Sequence, residues 1–132
     1  MNVRSDALKR DEHGSLISAD KVEGTPVHSR DGEDLGTIER IMIDKPSGKV
    51  AYAVMAFGGV LGMGKERRAL PWQVLTYDTS QEAYVVDMDT ERLRSAPALE
   101  EDNEGFDWSN RDWGQRLHDY YGASPYWSDS PR

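Results

Sequence analysis

The stretch Val50-Ala51-Tyr52-Ala53-Val54-Met55-Ala56-Phe57 is the longest uncharged apolar run in the chain, and Gly58-Gly59 closes it. Its β-branched and aromatic residues suit a pleated surface, and the run falls far short of the roughly 20 apolar residues a membrane span needs. A strand is the reading that fits. Its even positions (Val50, Tyr52, Val54, Ala56) and odd positions (Ala51, Ala53, Met55, Phe57) are all apolar, so neither face is expected to meet water. One face lines a core and the other needs a cover. The chain's own C-terminal segment, a second copy and a foreign partner are the candidates, in that order.

Turn chemistry brackets further strands on both sides. Pro26 to Ser29 reads as a first short strand, and the Asp31-Gly32 pair as a tight turn into a partner over Leu35 to Asp44. In that partner Thr37, Ile41 and Ile43 share a face while Ile38 and Met42 fall on the other. The apolar phase therefore slips near Glu39-Arg40, which predicts a β-bulge there. Lys45-Pro46-Ser47-Gly48 makes a second turn. Glu66 to Leu70 is the next strand, cornered at Pro71-Trp72 and continued by Val74 to Tyr77. After the turn Asp78–Glu82 comes a last strand, Ala83 to Met88. A short helix over Glu91 to Ala96 follows, capped by Asp89 or Thr90 and stopped by Pro97. Six short strands with short connections predict an all-β fold, an antiparallel barrel or sandwich.

Four segments are expected: a flexible arm over 1–17, a β domain over 18–97, an acidic linker over 98–108 and a helical, aromatic extension over 109–132. Ser18 caps a short helical turn at the entrance to the domain. In the extension, Ser109 with Asp112 three residues on suggests a capping box for a helix over Asn110 to Tyr121. Trp113, Leu117 and Tyr121 recur every four residues on one face, Gly122 stops the helix, and Pro125-Tyr126-Trp127 follows. Gly114 in its interior runs against that reading.

Charge narrows the partners. The net charge of −8 divides into −3 over Met1–Ala96 (16 acids, 13 bases) and −5 over Pro97–Arg132 (8 acids, 3 bases). Nucleic acid and anionic lipid surfaces would both repel such a chain. The absence of cysteine removes disulfides and thiolate chemistry, and Met1–Asp20 has no apolar core of a secretory signal. A cytoplasmic location is the expectation, with no direct insertion into a membrane.

The ordered set Gly24-Thr25-Pro26-Val27, Gly32-Glu33-Asp34-Leu35-Gly36-Thr37-Ile38, Asp44 with Gly48-Lys49-Val50, and Leu70-Pro71-Trp72 resembles the PRC-barrel domain. That barrel is known from the cytoplasmic part of photosynthetic reaction-centre H subunits, and a related one from ribosome-maturation factors. The resemblance covers about Ser18 to Pro97 and implies a small β-barrel that serves larger assemblies. Neither a transmembrane helix like that of an anchored H subunit nor a second, RNA-associated domain like that of the maturation factors is expected. A stand-alone module is expected, regulation of a photosynthetic or electron-transfer complex being a weaker alternative.

Three motifs look like chemistry and read better as structure. Gly59 to Lys65 satisfies G-x-x-x-x-G-K, but Glu66 stands where a P-loop needs a hydroxyl, and a strand follows instead of a helix. Asp87-Met88-Asp89-Thr90-Glu91 begins like a calcium loop, yet Arg92 replaces the turn glycine and Ala98 the closing glutamate. His13, His28 and His118 have no metal or catalytic spacing. The expectation is therefore no catalytic residue, no cofactor and no metal.

The candidate interface is apolar and aromatic: Val60, Leu61 and Met63 on the glycine-rich loop, with Trp113, Leu117, Tyr121, Tyr126 and Trp127. The loop residues either form an interface or plug the barrel end. The aromatic residues either pack onto the barrel or make a partner-binding surface. The functional reading is a non-catalytic interaction module, a homodimer that also docks onto an unidentified protein. The alternative is a barrel that binds a small ligand or metal.

Overall fold

The computed structural model describes residues 12–13, 15–57, 66–97, 99 and 107–128. Four residues of the expected flexible arm form a ladder, β1 (Glu12–His13) pairing antiparallel with β2 (Leu16–Ile17), and the single-turn helix α1 (Ala19–Val22) follows. The main body is one sheet of β3 (Pro26–Ser29), β4 (Asp34–Ile43), β5 (Val50–Phe57), β6 (Glu66–Pro71), β7 (Thr76–Asp78) and β8 (Ala83–Val86). Helices α2 (Thr90–Arg94) and α3 (Arg111–Tyr121) and a 3-10 turn at Tyr126–Ser128 complete the described chain.

The sheet order is β6-β5-β4-β3-β8-β7. This corrects the antiparallel expectation: β3 and β8 run parallel, while the other neighbours are antiparallel. It also corrects the closed barrel, since no ladder joins β6 to β7 among the described residues. Nevertheless the sheet has to curl. Six strands laid flat would hold the edges about 24 Å apart, whereas the five chain steps from Pro71 to Thr76 reach at most about 18 Å. A 3-10 turn at Trp72–Val74 shortens that reach further and makes β7 the continuation of β6 around a corner.

Local chemistry explains the curl. Register slips between Ile38 and Arg40 and again between Met42 and Ile43, so β4 bulges where its apolar phase changes and once more near its end. At Gly36 an added Cβ would run into the Ala56 carbonyl oxygen and come within 2.9 Å of Phe57 Cβ. Only glycine lets β4 bend this close to β5. The Asp44 carboxylate accepts from Ser47 N–H at 3.2 Å and from the Ser47 hydroxyl at 2.6 Å, which fixes the turn that returns the chain along β5.

Inside the curl, Val27, Ile38, Met55, Leu70, Val86 and Leu93 form the centre of an apolar core, with Ala53 and Phe57 beside them. Full burial of each larger side chain contributes about 1.5–3 kcal/mol. Asp89 caps α2 by accepting from Arg92 N–H at 2.8 Å, so the would-be calcium loop is a helix start. The other helix is capped by Asn110 and not by Ser109: Asn110 Oδ1 accepts from Trp113 N–H at 3.1 Å, while the Ser109 hydroxyl donates to Asp107 at 2.6 Å. Gly122, at φ 69°, ends that helix, and Ala123 N–H reaches the His118 carbonyl at 2.9 Å.

Candidate functional site

The second face of β5 is covered by the chain itself. Tyr52 and Ala51 pack with Ala69 of β6 and with Trp113 and Leu117 of α3 in a cluster separate from the inner core. Tyr52 is the hub: its ring lies 5.8 Å from Trp108, 5.5 Å from Trp113, 5.6 Å from His118 and 5.5 Å from Tyr126, centroid to centroid. Such tilted and edge-on contacts suit the ring quadrupoles and add to the area buried. Trp127 closes the group at 5.4 Å from His118, and Arg111 lies 4.2 Å over the Trp127 ring.

Gly114, which weakens the helix by propensity, is what seats it. A Cβ there would meet the Trp127 ring at 2.8 Å and the Tyr52 hydroxyl at 3.1 Å. Further ties run outward. Tyr120 donates its hydroxyl to the Arg92 carbonyl at 2.6 Å, and Gln73 donates to the Ser124 carbonyl at 2.6 Å. Arg68 donates to the Arg94 carbonyl at 3.0 Å, which draws α2 onto β6.

Burial governs the titratable groups here. It pushes the Tyr52 phenol far up, helped by the nearby Tyr126 and opposed by Arg111, and it does the same to Tyr121. It pushes His118 down, against the pull of its bond to the Gly114 carbonyl and of Asp119. The Tyr52 and Tyr121 hydroxyls and His118 Nε2 are buried without a hydrogen-bond partner among the described residues. Asp78 and Asp107 are lowered by hydrogen bonds from turn neighbours, first Ser80 and Ser109 respectively. These are structural causes.

Between the β4–β5 turn and this cluster lies an open, mainly apolar cleft of about 260 Å³. Tyr52 is its floor, Met42, Ile43 and Pro46 form one wall, and Trp108 and Tyr126 form the other. Asp44, Lys45 and Ser109 supply its polar rim. Ile43, 53% exposed, is one of two large apolar side chains turned to solvent among the described residues, with Leu16 at 75%. Two wider hollows flank Arg30 and Asp87, which pair at 3.7 Å; of their carboxylates, Asp78 is engaged in a turn and Asp89 in a helix cap. No group of three or more histidines and carboxylates among the described residues could hold a metal.

The candidate interface residues thus have different fates. Trp113 and Leu117 are buried within the chain, Tyr121 is half-buried between the two clusters, and Tyr126 and Trp127 are half-buried in the aromatic group. Val60, Leu61 and Met63, like the G-x-x-x-x-G-K motif, lie outside the described residues. Sequence reasoning missed Tyr52 as the hub, His118, and the wall Met42–Ile43. Only the double apolar face of β5 signalled that something had to sit there.

The PRC-barrel domain model matches residues 15–93, well over half of the chain, and the protein belongs to the PRC-barrel family. The outer cover, Trp113 to Trp127, lies beyond the matched residues. No curated protein matches the chain. Among solved structures, a putative 16S ribosomal RNA processing protein, RimM, of Pseudomonas aeruginosa is similar, with 24% identity and a TM-score of 0.39 over 62% of this chain and 49% of that one. The chain spans about half the length of that protein. No helix among the described residues is long and apolar enough to cross a membrane.

Proposed function

We propose that this chain is a non-catalytic interaction module, a curled six-stranded sheet of the PRC-barrel family that docks onto a protein partner through the Ile43–Tyr126 cleft. The observation that carries this reading is the cleft itself: a mainly apolar, aromatic-walled hollow beside an exposed isoleucine, the kind of feature that anchors interfaces. Family membership supports it, by resemblance to barrels that serve larger assemblies. The small-ligand alternative is less favoured by size, since about 260 Å³ falls below the roughly 300–1,000 Å³ of pockets that enclose drug-sized molecules. A non-enzymatic role is supported by the shifted groups, whose perturbations trace to packing and turn hydrogen bonds rather than to an open site. The proposed location is the cytoplasm.

Ile43→Asp tests this. The native chain, immobilised in source-cell lysate, should retain a protein that the folded variant loses; a hot-spot loss of about 2 kcal/mol or more corresponds to roughly thirty-fold in Kd. Equal recovery by both chains overturns the reading. A homodimer through the same face is the second reading, favoured by the exposure of Ile43. It predicts a dimer in sedimentation that Ile43→Asp converts to monomer.

A further inference from the structure

His118 has no exposed surface, and its two ring nitrogens are treated differently. Nδ1 lies 2.7 Å from the Gly114 carbonyl oxygen, a contact that requires Nδ1 to carry the proton and donate it. Nε2 is left as a bare acceptor with no partner among the described residues. What surrounds it is aromatic: Tyr52 from β5, and Tyr126 and Trp127 from the C-terminal turn, at ring separations of 5.6, 6.2 and 5.4 Å. From β6, Ala69 packs in the same cluster, while Arg68 turns its guanidinium to the Arg67 and Arg94 carbonyls. On α3 the near charges are Asp119, exposed and held by Gln115 at 2.9 Å, and Arg111, stacked on Trp127.

This niche suits neutral imidazole and not imidazolium. A second N–H would point among aromatic rings, and among the described residues the one carboxylate that acts on a charge there is the exposed Asp119. The attraction of rings for a cation is smaller than the penalty of taking an unpaired ion out of water. Released into water, the same side chain charges freely. Moreover, the part of the molecule held by this contact is separable: α3 and the Tyr126–Ser128 turn pack in the outer cluster, and only Tyr121 among the packed residues is shared with the inner core.

We propose that α3 and the Tyr126–Ser128 turn form an acid-released clasp on the second face of the sheet, with His118 as its latch and the inner core staying folded when the clasp opens. Burial lowers the affinity of His118 for a proton in the closed form. The stability it lends the clasp is therefore complete above the ordinary histidine value of about 6.5 and is lost as pH falls toward the closed-form value. Between the two values the open-to-closed ratio rises about tenfold for each pH unit. This inference stands whether or not the cleft binds a partner.

The test is an NMR titration of the full chain from pH 7.5 to 4.5. The His118 Cε1–H resonance should titrate below the ordinary midpoint, and the amide resonances of residues 111–121 should shift with that same midpoint while those of β3, β4, β5 and β8 hold. In His118→Gln, whose amide can still donate to Gly114, the helix transition should vanish from this range. The proposal is overturned if the helix resonances stay fixed through the His118 titration, or if sheet and helix are lost together. It is equally overturned if the transition persists in His118→Gln. Should that variant fail to seat its helix at neutral pH, the coincidence or separation of the two midpoints in the native chain still decides.

Discussion

On one face of β5, Ala53, Met55 and Phe57 meet aliphatic residues of the neighbouring strands; on the other, Tyr52 meets two tryptophans, a tyrosine and a histidine from the far end of the chain. The inner face is built mainly from aliphatic side chains, with Tyr84 among them. The outer one buries the Tyr52 hydroxyl and His118 Nε2 without partners among the described residues, and the Tyr121 hydroxyl between the two clusters is in the same state. Unpaired buried polar groups each cost on the order of 1–3 kcal/mol, so the outer packing has less net stability for the area it hides. The inner core therefore defines the fold, and the outer cluster is an attachment to it. The family match, which ends at residue 93, divides the chain along the same line.

Substitutions on each face can break this division or sharpen it. The largest effect is expected from Met55→Asp, which puts an unpaired charge at a position with no exposed surface in the inner core. No cooperative unfolding transition should remain in near-ultraviolet circular dichroism; a variant that keeps native α3 packing would refute the division. Gly114→Leu acts only on the outer face. It should weaken the clasp by about 1–3 kcal/mol through overpacking against Trp127 and Tyr52. Amide exchange should quicken in residues 111–121 and stay slow in β3 to β6. The smallest effect belongs to Asn110→Ala, about 1 kcal/mol for a lost cap, seen as fraying of the first turn of α3. If that variant also loosened β5, sheet and clasp would be one cooperative unit.

Much of the inner architecture was legible because its signals are local. The two apolar faces of Val50–Phe57, the phase slip at Glu39-Arg40, the Asp31-Gly32 turn and the Gly122 stop each follow from neighbouring residues, and each has its counterpart in the structure. The parallel β3–β8 pair was not legible, since strand pairing across the whole domain leaves no periodic trace. Ser109 and Asn110 are both good caps, and the choice between them was made by Asp107, which engages the serine. Gly114 was misread and His118 passed over for one reason: each has meaning only against Tyr52, a residue distant in sequence. A glycine that looks like a flaw in a helix is here a socket, and a histidine with no motif around it is a buried contact.

The parallel pairing of β3 with β8 sets how the domain bears load. The chain enters the sheet at Pro26 and leaves it at Val86, on adjacent strands that point the same way, with Val27, His28 and Ser29 opposite Tyr84, Val85 and Val86. The two exits are therefore at opposite ends of the ladder. Tension between them runs along the strands, so these pairs resist together in shear and do not peel apart one at a time.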